Sequence, residues 1–309
     1  MNLVTGGAGF IGSHIAARLL ADGEKVRILD DFSTGKWSNL EAFKDDVEVI
    51  EGDLRDSDAL ARAVKGCRYV YQQAALRSVP RSIDDPRANN DVNVTGILNL
   101  LIAAKKAGVQ RVVYASSSSV YGDDPTLPKV ETQTPRPISP YAASKIMGEY
   151  YCRIYSNLYD LETVSMRYFN VFGPRQDPES KYAAVIPRFI TAALADEAAE
   201  VHGDGEQSRD FTYIDNVVSA NLLAAKAPGV AGEPFNIACN ERYSLLDVLA
   251  AIEKVLGKPV GRNHEPARAG DVKHTLADIS KARERLGYEP LVGFAEGMQR
   301  TVEWFRENA

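Results

Sequence analysis

Tyr141 and Lys145 stand four residues apart in the run Ser139-Pro140-Tyr141-Ala142-Ala143-Ser144-Lys145, a spacing that places both side chains on one face of a helix, one turn apart. Such a pair suggests a proton-transfer site. A free phenol titrates near pH ~10, and an ammonium held beside it favours the phenolate and draws that value toward the range where a general base works. The same spacing alone also describes an aromatic ring packed on a lysine stem, so the surrounding segments must decide. Upstream, Ser116 to Ser119 follow an apolar run and precede Val120-Tyr121-Gly122. A hydroxyl at that strand end could face the same crevice, although serines after a strand also serve turns.

The elements that would hold these groups follow from local signals. Ser139 is a helix N-cap and Pro140 suits the first helical position, which sets Tyr141 in the first turn of a rigid element. At the start of the chain a short apolar strand runs into Gly6-x-x-Gly9-x-x-Gly12 and then a helix beginning near His14. Glycines in that context let the backbone turn tightly and approach a pyrophosphate, whose charge meets the helix N-terminus. The spacing departs from G-x-G-x-x-G, so a purely structural glycine turn is the alternative. A second strand over 25–29 ends at Asp30 and Asp31, where a carboxylate would accept hydrogen bonds from ribose hydroxyls and repel a 2′-phosphate, favouring NAD over NADP even with Lys36 nearby. Further strands are expected over 47–50, 68–72, 111–115 and 163–167, each preceded by a helical stretch. This is an α/β pattern, a doubly wound parallel (Rossmann) sheet with a smaller α/β substrate-binding lobe. Residues 1–170 are read as the dinucleotide-binding domain and 171–309 as mainly the lobe, with about 211–240 returning to the first domain.

Composition removes other classes. Across 309 residues the net charge is −6 and 45% of residues are hydrophobic, with Lys and Arg scattered, so neither a nucleic-acid footprint nor a polybasic membrane anchor is expected. Three widely spaced cysteines, Cys67, Cys152 and Cys239, argue against a disulfide framework, and His14, His202, His264 and His274 lack metal-ligand spacing. No apolar run approaches the ~20 residues of a bilayer span, and the expected setting is cytoplasmic, with an apolar strand rather than a leader at the start.

Taken together, the glycine turn, Asp30, Asp53, the serine strand end and Tyr141-x-x-x-Lys145 resemble the extended short-chain dehydrogenase/reductase family. Asn93-Val94-Thr95-Gly96, Arg167-Tyr168-Phe169-Asn170-Val171-Phe172-Gly173, Arg209-Asp210-Phe211 and Arg268-Ala269-Gly270-Asp271 match its further landmarks in order, so the resemblance spans the chain. Within the family the chain looks most like the UDP-hexose 4-epimerases, including those acting on N-acetylated sugars. The resemblance implies bound NAD contacted by Gly6, Gly9, Phe10, Ile11, Gly12, Asp30, Asp31, Ser33, Thr34, Gly35, Asp53, Leu54, Gln73, Ala74, Ala75, Arg77, Asn93, Tyr141, Lys145 and Tyr168. It implies a UDP-sugar held by Ser78, Ser117, Tyr141, Asn170, Val185, Arg209, Arg268, Asp271 and Thr275. Ser117 would bond the C4 oxygen, Tyr141 would exchange its proton, and Lys145 would hold the nicotinamide ribose while lowering the tyrosine pKa. Inversion at C4 through a transient 4-keto sugar is the implied reaction.

Alternatives within the resemblance turn on single residues. Dehydratases and decarboxylases of the family carry an acid where this chain has Ser118 and Ser119, which disfavours elimination. Uronate 4-epimerases resemble a version with Thr at 170 and Arg at 177; here Asn170 and Asp177 stand, and Asp177 is expected to repel a substrate carboxylate unless a cation intervenes. Small Thr275, where a bulky tyrosine marks restricted enzymes, leaves room for a 2-acetamido group. A dinucleotide-sensing protein without activity is least favoured, because both Tyr141 and Lys145 are retained. The helices over 93–107 and 141–159 are apolar on more than one stripe, and the family implies a homodimer built on them.

Overall fold

The computed structural model describes residues 1–178, 184–266 and 273–308. The first half alternates strand and helix: β1 (Asn2–Thr5), α1 (Phe10–Ala21), β2 (Val26–Asp30), β3 (Val47–Glu51), α2 (Ser57–Val64), β4 (Tyr69–Gln72), α3 (Val79–Asp84), α4 (Pro86–Asn90), α5 (Gly96–Lys106), β5 (Arg111–Ser117), α6 (Pro140–Leu158) and β6 (Glu162–Tyr168). Successive side chains along a strand face opposite sides of the sheet. Leu3, Val70, Val112 and Tyr114 thus pack with α2, α5 and α6 through Leu60, Leu100, Leu101 and Cys152, while Val4, Tyr71, Val113 and Val164 pack with Ile15 and Leu19 of α1 on the other face. Fully burying each such side chain stabilises by about 1.5–3 kcal/mol, so both strand faces must be apolar.

The second half adds β7 (Val171–Phe172), α7 (Val185–Leu194), β8 (Ala199–His202), β9 (Ser208–Arg209), β10 (Thr212–Tyr213), α8 (Ile214–Lys226), β11 (Glu233–Ile237), β12 (Tyr243–Ser244), α9 (Leu245–Leu256), β13 (Arg262–Glu265), α10 (Ser280–Leu286) and α11 (Phe294–Glu307). The strand β11 pairs parallel with β6 and completes a seven-stranded sheet of order β11-β6-β5-β4-β1-β2-β3. Loops between regular elements were the expectation past residue 170; the structure instead has short strand pairs, β7 with β10, β9 with β12 and β8 with β13. Two-residue strands carry too little alternation to announce themselves in sequence. Phe172 anchors this region, with Tyr213 edge-on at 5.6 Å and Phe294 at 6.0 Å. One apolar cluster runs from Val4 and Ile15 through Met166 and Phe172 to Phe189, Val248 and Phe294.

Chain order reverses between β1 and β4, so the crevice lies where their carboxyl ends diverge, as doubly wound sheets require. The base-bearing helix is set close against the sheet. A Cβ on Gly148 would fall 2.1 Å from the Tyr114 hydroxyl, so α6 approaches β5 by the width of a missing methyl group. No helix among the described residues is long and apolar enough to cross a membrane.

Candidate active site

The glycine turn forms the floor of a crevice. Gly6 is left-handed at φ +66°, and a Cβ there would lie 2.6 Å from the Ala74 nitrogen. On Gly12 it would fall 2.1 Å from the Gly6 carbonyl oxygen. These approaches fold the turn under the first residues of α1, and Gly9, Phe10, Ile11 and Gly12 all line the crevice. Free amides of a helix N-terminus there suit a phosphate. Asp30, Asp31, Ser33, Thr34, Gly35, Asp53, Leu54, Gln73, Ala74, Ala75, Arg77, Tyr141, Lys145 and Tyr168 line the same space. A cradle that a Cβ would fill, a helix start and acidic residues at the end of β2 together fit a dinucleotide.

The acidic residues divide their roles. Asp30 is buried and accepts from the Ala8 amide at 2.8 Å and the Phe32 amide at 2.9 Å, tying the glycine turn to β2; burial raises its pKa. Exposed Asp31 accepts from Ser33 through one oxygen, leaving the other uncommitted among the described residues. Asp53 is held by Arg55 at 2.6 Å, which lowers its pKa. Asn93 is the one expected cofactor contact outside the crevice lining. It sits in a π-helical turn, Asp91–Thr95, accepts from the Leu76 amide at 2.9 Å and donates to the Leu76 carbonyl at 3.0 Å. Its action on the crevice runs through the loop that carries Ala75 and Arg77.

Tyr141 occupies the first turn of α6. Ser139 caps the helix by accepting from Ala142, and the Tyr141 amide donates to Ser82 at 3.1 Å. The Ser117 hydroxyl accepts from the Ser119 amide at 3.2 Å and hydroxyl at 2.9 Å and lies near enough to the Tyr141 phenol to favour its ionised form. With both acceptor positions used, its single proton is left to donate. The expectation that Lys145 lowers the tyrosine pKa is not met. Burial raises it, and the opposing influences are Ser117 and the charge of Arg77, because the Lys145 ammonium donates to the Ala115 carbonyl at 2.7 Å and lies 5.8 Å from the Tyr141 ring centre. Burial brings Lys145 itself down to about 8.

A second pocket opens beyond Tyr168, lined by Asn170, Val185 and Arg209 together with Phe211, His202 and Gln207. Asn170 donates to the Asp210 carbonyl at 3.0 Å and to the Thr275 hydroxyl at 3.3 Å. Three of the expected sugar-nucleotide residues thus meet there, and Thr275 stands behind Asn170. Ser78 is instead the N-cap of α3, accepting from the Arg81 amide at 3.1 Å. Arg268 and Asp271 lie outside the described residues. Asp177 lines the dinucleotide crevice, not this pocket, and pairs with Lys36 at 3.2 Å. Lys36 is therefore the intervening cation under which repulsion of a substrate carboxylate from Asp177 is not expected.

Sequence reasoning missed several residues. Ser82, which receives the Tyr141 amide, carries no sequence signal because its partner is 59 residues away. Ser116 lines the crevice and bonds Glu149, which forms a buried ion pair with Arg167 at 2.7 Å; Glu149 one turn beyond Lys145 was the available hint. Arg175 also lines the crevice, and its place after Gly173-Pro174, just past a strand end, was the signal. Among the described residues no cluster of metal-ligating side chains occurs.

This geometry coincides with what the chain resembles. Residues 2–238 match the NAD dependent epimerase/dehydratase family. The UDP-glucose 4-epimerase of Mycolicibacterium smegmatis is 41% identical over 311 residues, covering 99% of each chain. The solved UDP-N-acetylglucosamine 4-epimerase of Methanobrevibacter ruminantium, in complex with UDP-N-acetylmuramic acid, superposes with a TM-score of 0.95 at 41% identity over 100% of this chain and 98% of that one. The Thermus thermophilus UDP-glucose 4-epimerase in complex with NAD gives 0.92 at 38% identity over 100% and 99%. With a crevice shaped for a dinucleotide and a tyrosine–lysine pair at its edge, the chain belongs to the NAD dependent epimerase/dehydratase family.

Proposed function

We propose that the chain is an NAD-dependent epimerase that inverts C4 of UDP-hexoses, both the glucose/galactose pair and the N-acetylglucosamine/N-acetylgalactosamine pair. One observation carries the reading: Tyr141, with Ser117 beside its phenol, stands at the edge of the glycine-floored crevice, which also holds Lys145. The Asn170, Val185 and Arg209 pocket suits the nucleotide end of the substrate. Bound NAD supplies a reversible hydride acceptor. Ser117 holds the C4 oxygen, and Tyr141 takes the C4 hydroxyl proton and returns it once the hexose has presented its other face. Ser119 occupies both acceptor positions of Ser117 and leaves its proton for the C4 oxygen, and the Arg77 charge favours the phenolate. Buried Lys145, anchored on Ala115, is placed to hold the cofactor ribose. Arg209 offers a guanidinium to diphosphate oxygens, which grips the nucleotide and leaves the hexose free to turn.

Elimination is disfavoured because Ser118 and Ser119 occupy the places where an acid would protonate a leaving hydroxyl. The small Thr275 side chain supports acceptance of a 2-acetamido group. Tyr141→Phe is expected to retain the dinucleotide while epimerisation falls by about 10²–10⁴-fold, measured with each UDP-sugar pair and with UDP-glucuronate. Unchanged activity in the variant removes the proposed base, and no turnover of the acetylated pair by the wild type removes the Thr275 reading.

The same reading includes a homodimer. Met147, Tyr150, Ile154 and Leu158 form an exposed apolar stripe along α6, at 41%, 50%, 42% and 72% exposure, a spacing that shares one helix face. A monomeric mass by light scattering at micromolar concentration contradicts it. A cytoplasmic setting, supported by unpaired Cys67, Cys152 and Cys239, is tested by cell fractionation; recovery outside the cytoplasm counts against it.

A further inference from the structure

The Gly173-Pro174-Arg175 turn carries a guanidinium to the dinucleotide crevice, where one of its nitrogens finds no acceptor among the described residues. Arg175 adopts a left-handed backbone, φ +65°, a conformation that persists only where the surroundings hold it. Its Nη1 is buried without a hydrogen-bond partner. No carboxylate among the described residues opposes its burial, which alone lowers its pKa. None of the acids of the same crevice pairs with it among the described residues: Asp30 binds the Ala8 and Phe32 amides, Asp31 binds Ser33, Asp53 binds Arg55, and Asp177 binds Lys36. Neighbouring His14 offers no counter-charge. Its ring contacts the Pro174 carbonyl at 3.0 Å, and burial together with the Arg175 charge brings its pKa to about 4. The Phe43 ring, 5.9 Å from the guanidinium carbon, supports the cation but accepts no ordinary hydrogen bond.

A buried guanidinium N–H without an acceptor is unfavourable until an anion reaches it. The group that the crevice is shaped to hold carries one. A diphosphate presents oxygens that a guanidinium fork matches, and the floor beside Arg175 is the start of α1, where that diphosphate belongs. We propose that Arg175 binds the dinucleotide's diphosphate and, resting on the dinucleotide reading above, retains the cofactor between turnovers. An epimerase that returns its hydride to the same substrate has no use for cofactor exchange, so a contact slowing release serves the reaction.

The test compares wild type, Arg175→Gln and Arg175→Lys. Dinucleotide retained after dialysis is measured by chromatography of the denatured protein. Unfolding temperatures of charcoal-stripped protein are then followed with NAD, NADP, ADP and adenosine. Arg175→Gln is expected to retain about tenfold less dinucleotide and to lose most of the stabilisation by NAD and ADP, while keeping that by adenosine; the lysine variant lies between. Stripped Arg175→Gln should unfold no lower than wild type, since an unpaired buried charge has been removed. Wild-type retention in Arg175→Gln, or a loss confined to NADP, overturns the proposal and leaves the dinucleotide reading intact. A lower unfolding temperature for the stripped variant assigns Arg175 a structural part and overturns it too. Wild-type protein that neither retains a dinucleotide nor responds to NAD overturns both.

Discussion

The two halves of the site are built from different materials. The floor of the dinucleotide crevice is main chain: Gly6 and Gly12 each sit where a Cβ would fall within 2.6 Å of a backbone atom, and the strand ends of β1, β2 and β4 set its walls. The second pocket is made of side chains from distant segments, such as Asn170 reaching Thr275 across 105 residues. A wall of backbone tolerates almost no added volume, whereas a wall of side chains changes shape one residue at a time. The first arrangement suits a cofactor common to many reactions, and the second suits a choice among sugars.

Gly12→Ala should be the most damaging test of this contrast. Its methyl group must displace the Gly6 carbonyl, at a cost of about 1–3 kcal/mol in stability, with loss of retained dinucleotide; wild-type denaturant unfolding and retention would break the contrast at its firmer side. Lys145→Met should separate function from stability. Burial lowers Lys145 from 10.5 to about 8, so between those values the unfolded chain holds the proton that the folded protein has released, and stability rises with pH across that window. Below pH 8 the buried charge costs about 3 kcal/mol. The methionine variant is therefore expected to be inactive yet more stable at pH 7, with the gap closing toward pH 10.5; equal stability at pH 7 would mean that the Ala115 hydrogen bond fully compensates the burial. Thr275→Tyr should act most mildly, reducing turnover of the acetylated pair about 10–200-fold relative to the other. Equal loss on both pairs would show that Thr275 serves Asn170 and the Asp210 backbone rather than the hexose.

The same contrast governs what could be read from sequence. The glycine turn, the strand ends at Asp30 and Asp53, and Ser139-Pro140-Tyr141 are local patterns, and the structure places them where local chemistry puts them. Pairings over long separations were hidden. Lys36 with Asp177 spans 141 residues and supplies the cation that Asp177 alone could not announce. Likewise, helical spacing put Lys145 beside Tyr141, but the carbonyl of Ala115, 30 residues back in β5, determines where its ammonium goes. The strand β11 joins the sheet beside β6, whereas the short strand pairs of the second half owe their existence to partners more than to their own composition.

The contact at Gly148 has a consequence for how the base keeps its place. Because α6 rests with its backbone against the Tyr114 ring, and Tyr114 donates to the Lys145 carbonyl at 3.4 Å, the elevation of Tyr141 above the sheet is referenced to a rigid aromatic spacer rather than to compressible aliphatic packing. Substitutions on the outer face of α6 can then accumulate without moving the phenol, since the datum from which its height is measured lies on the inner side.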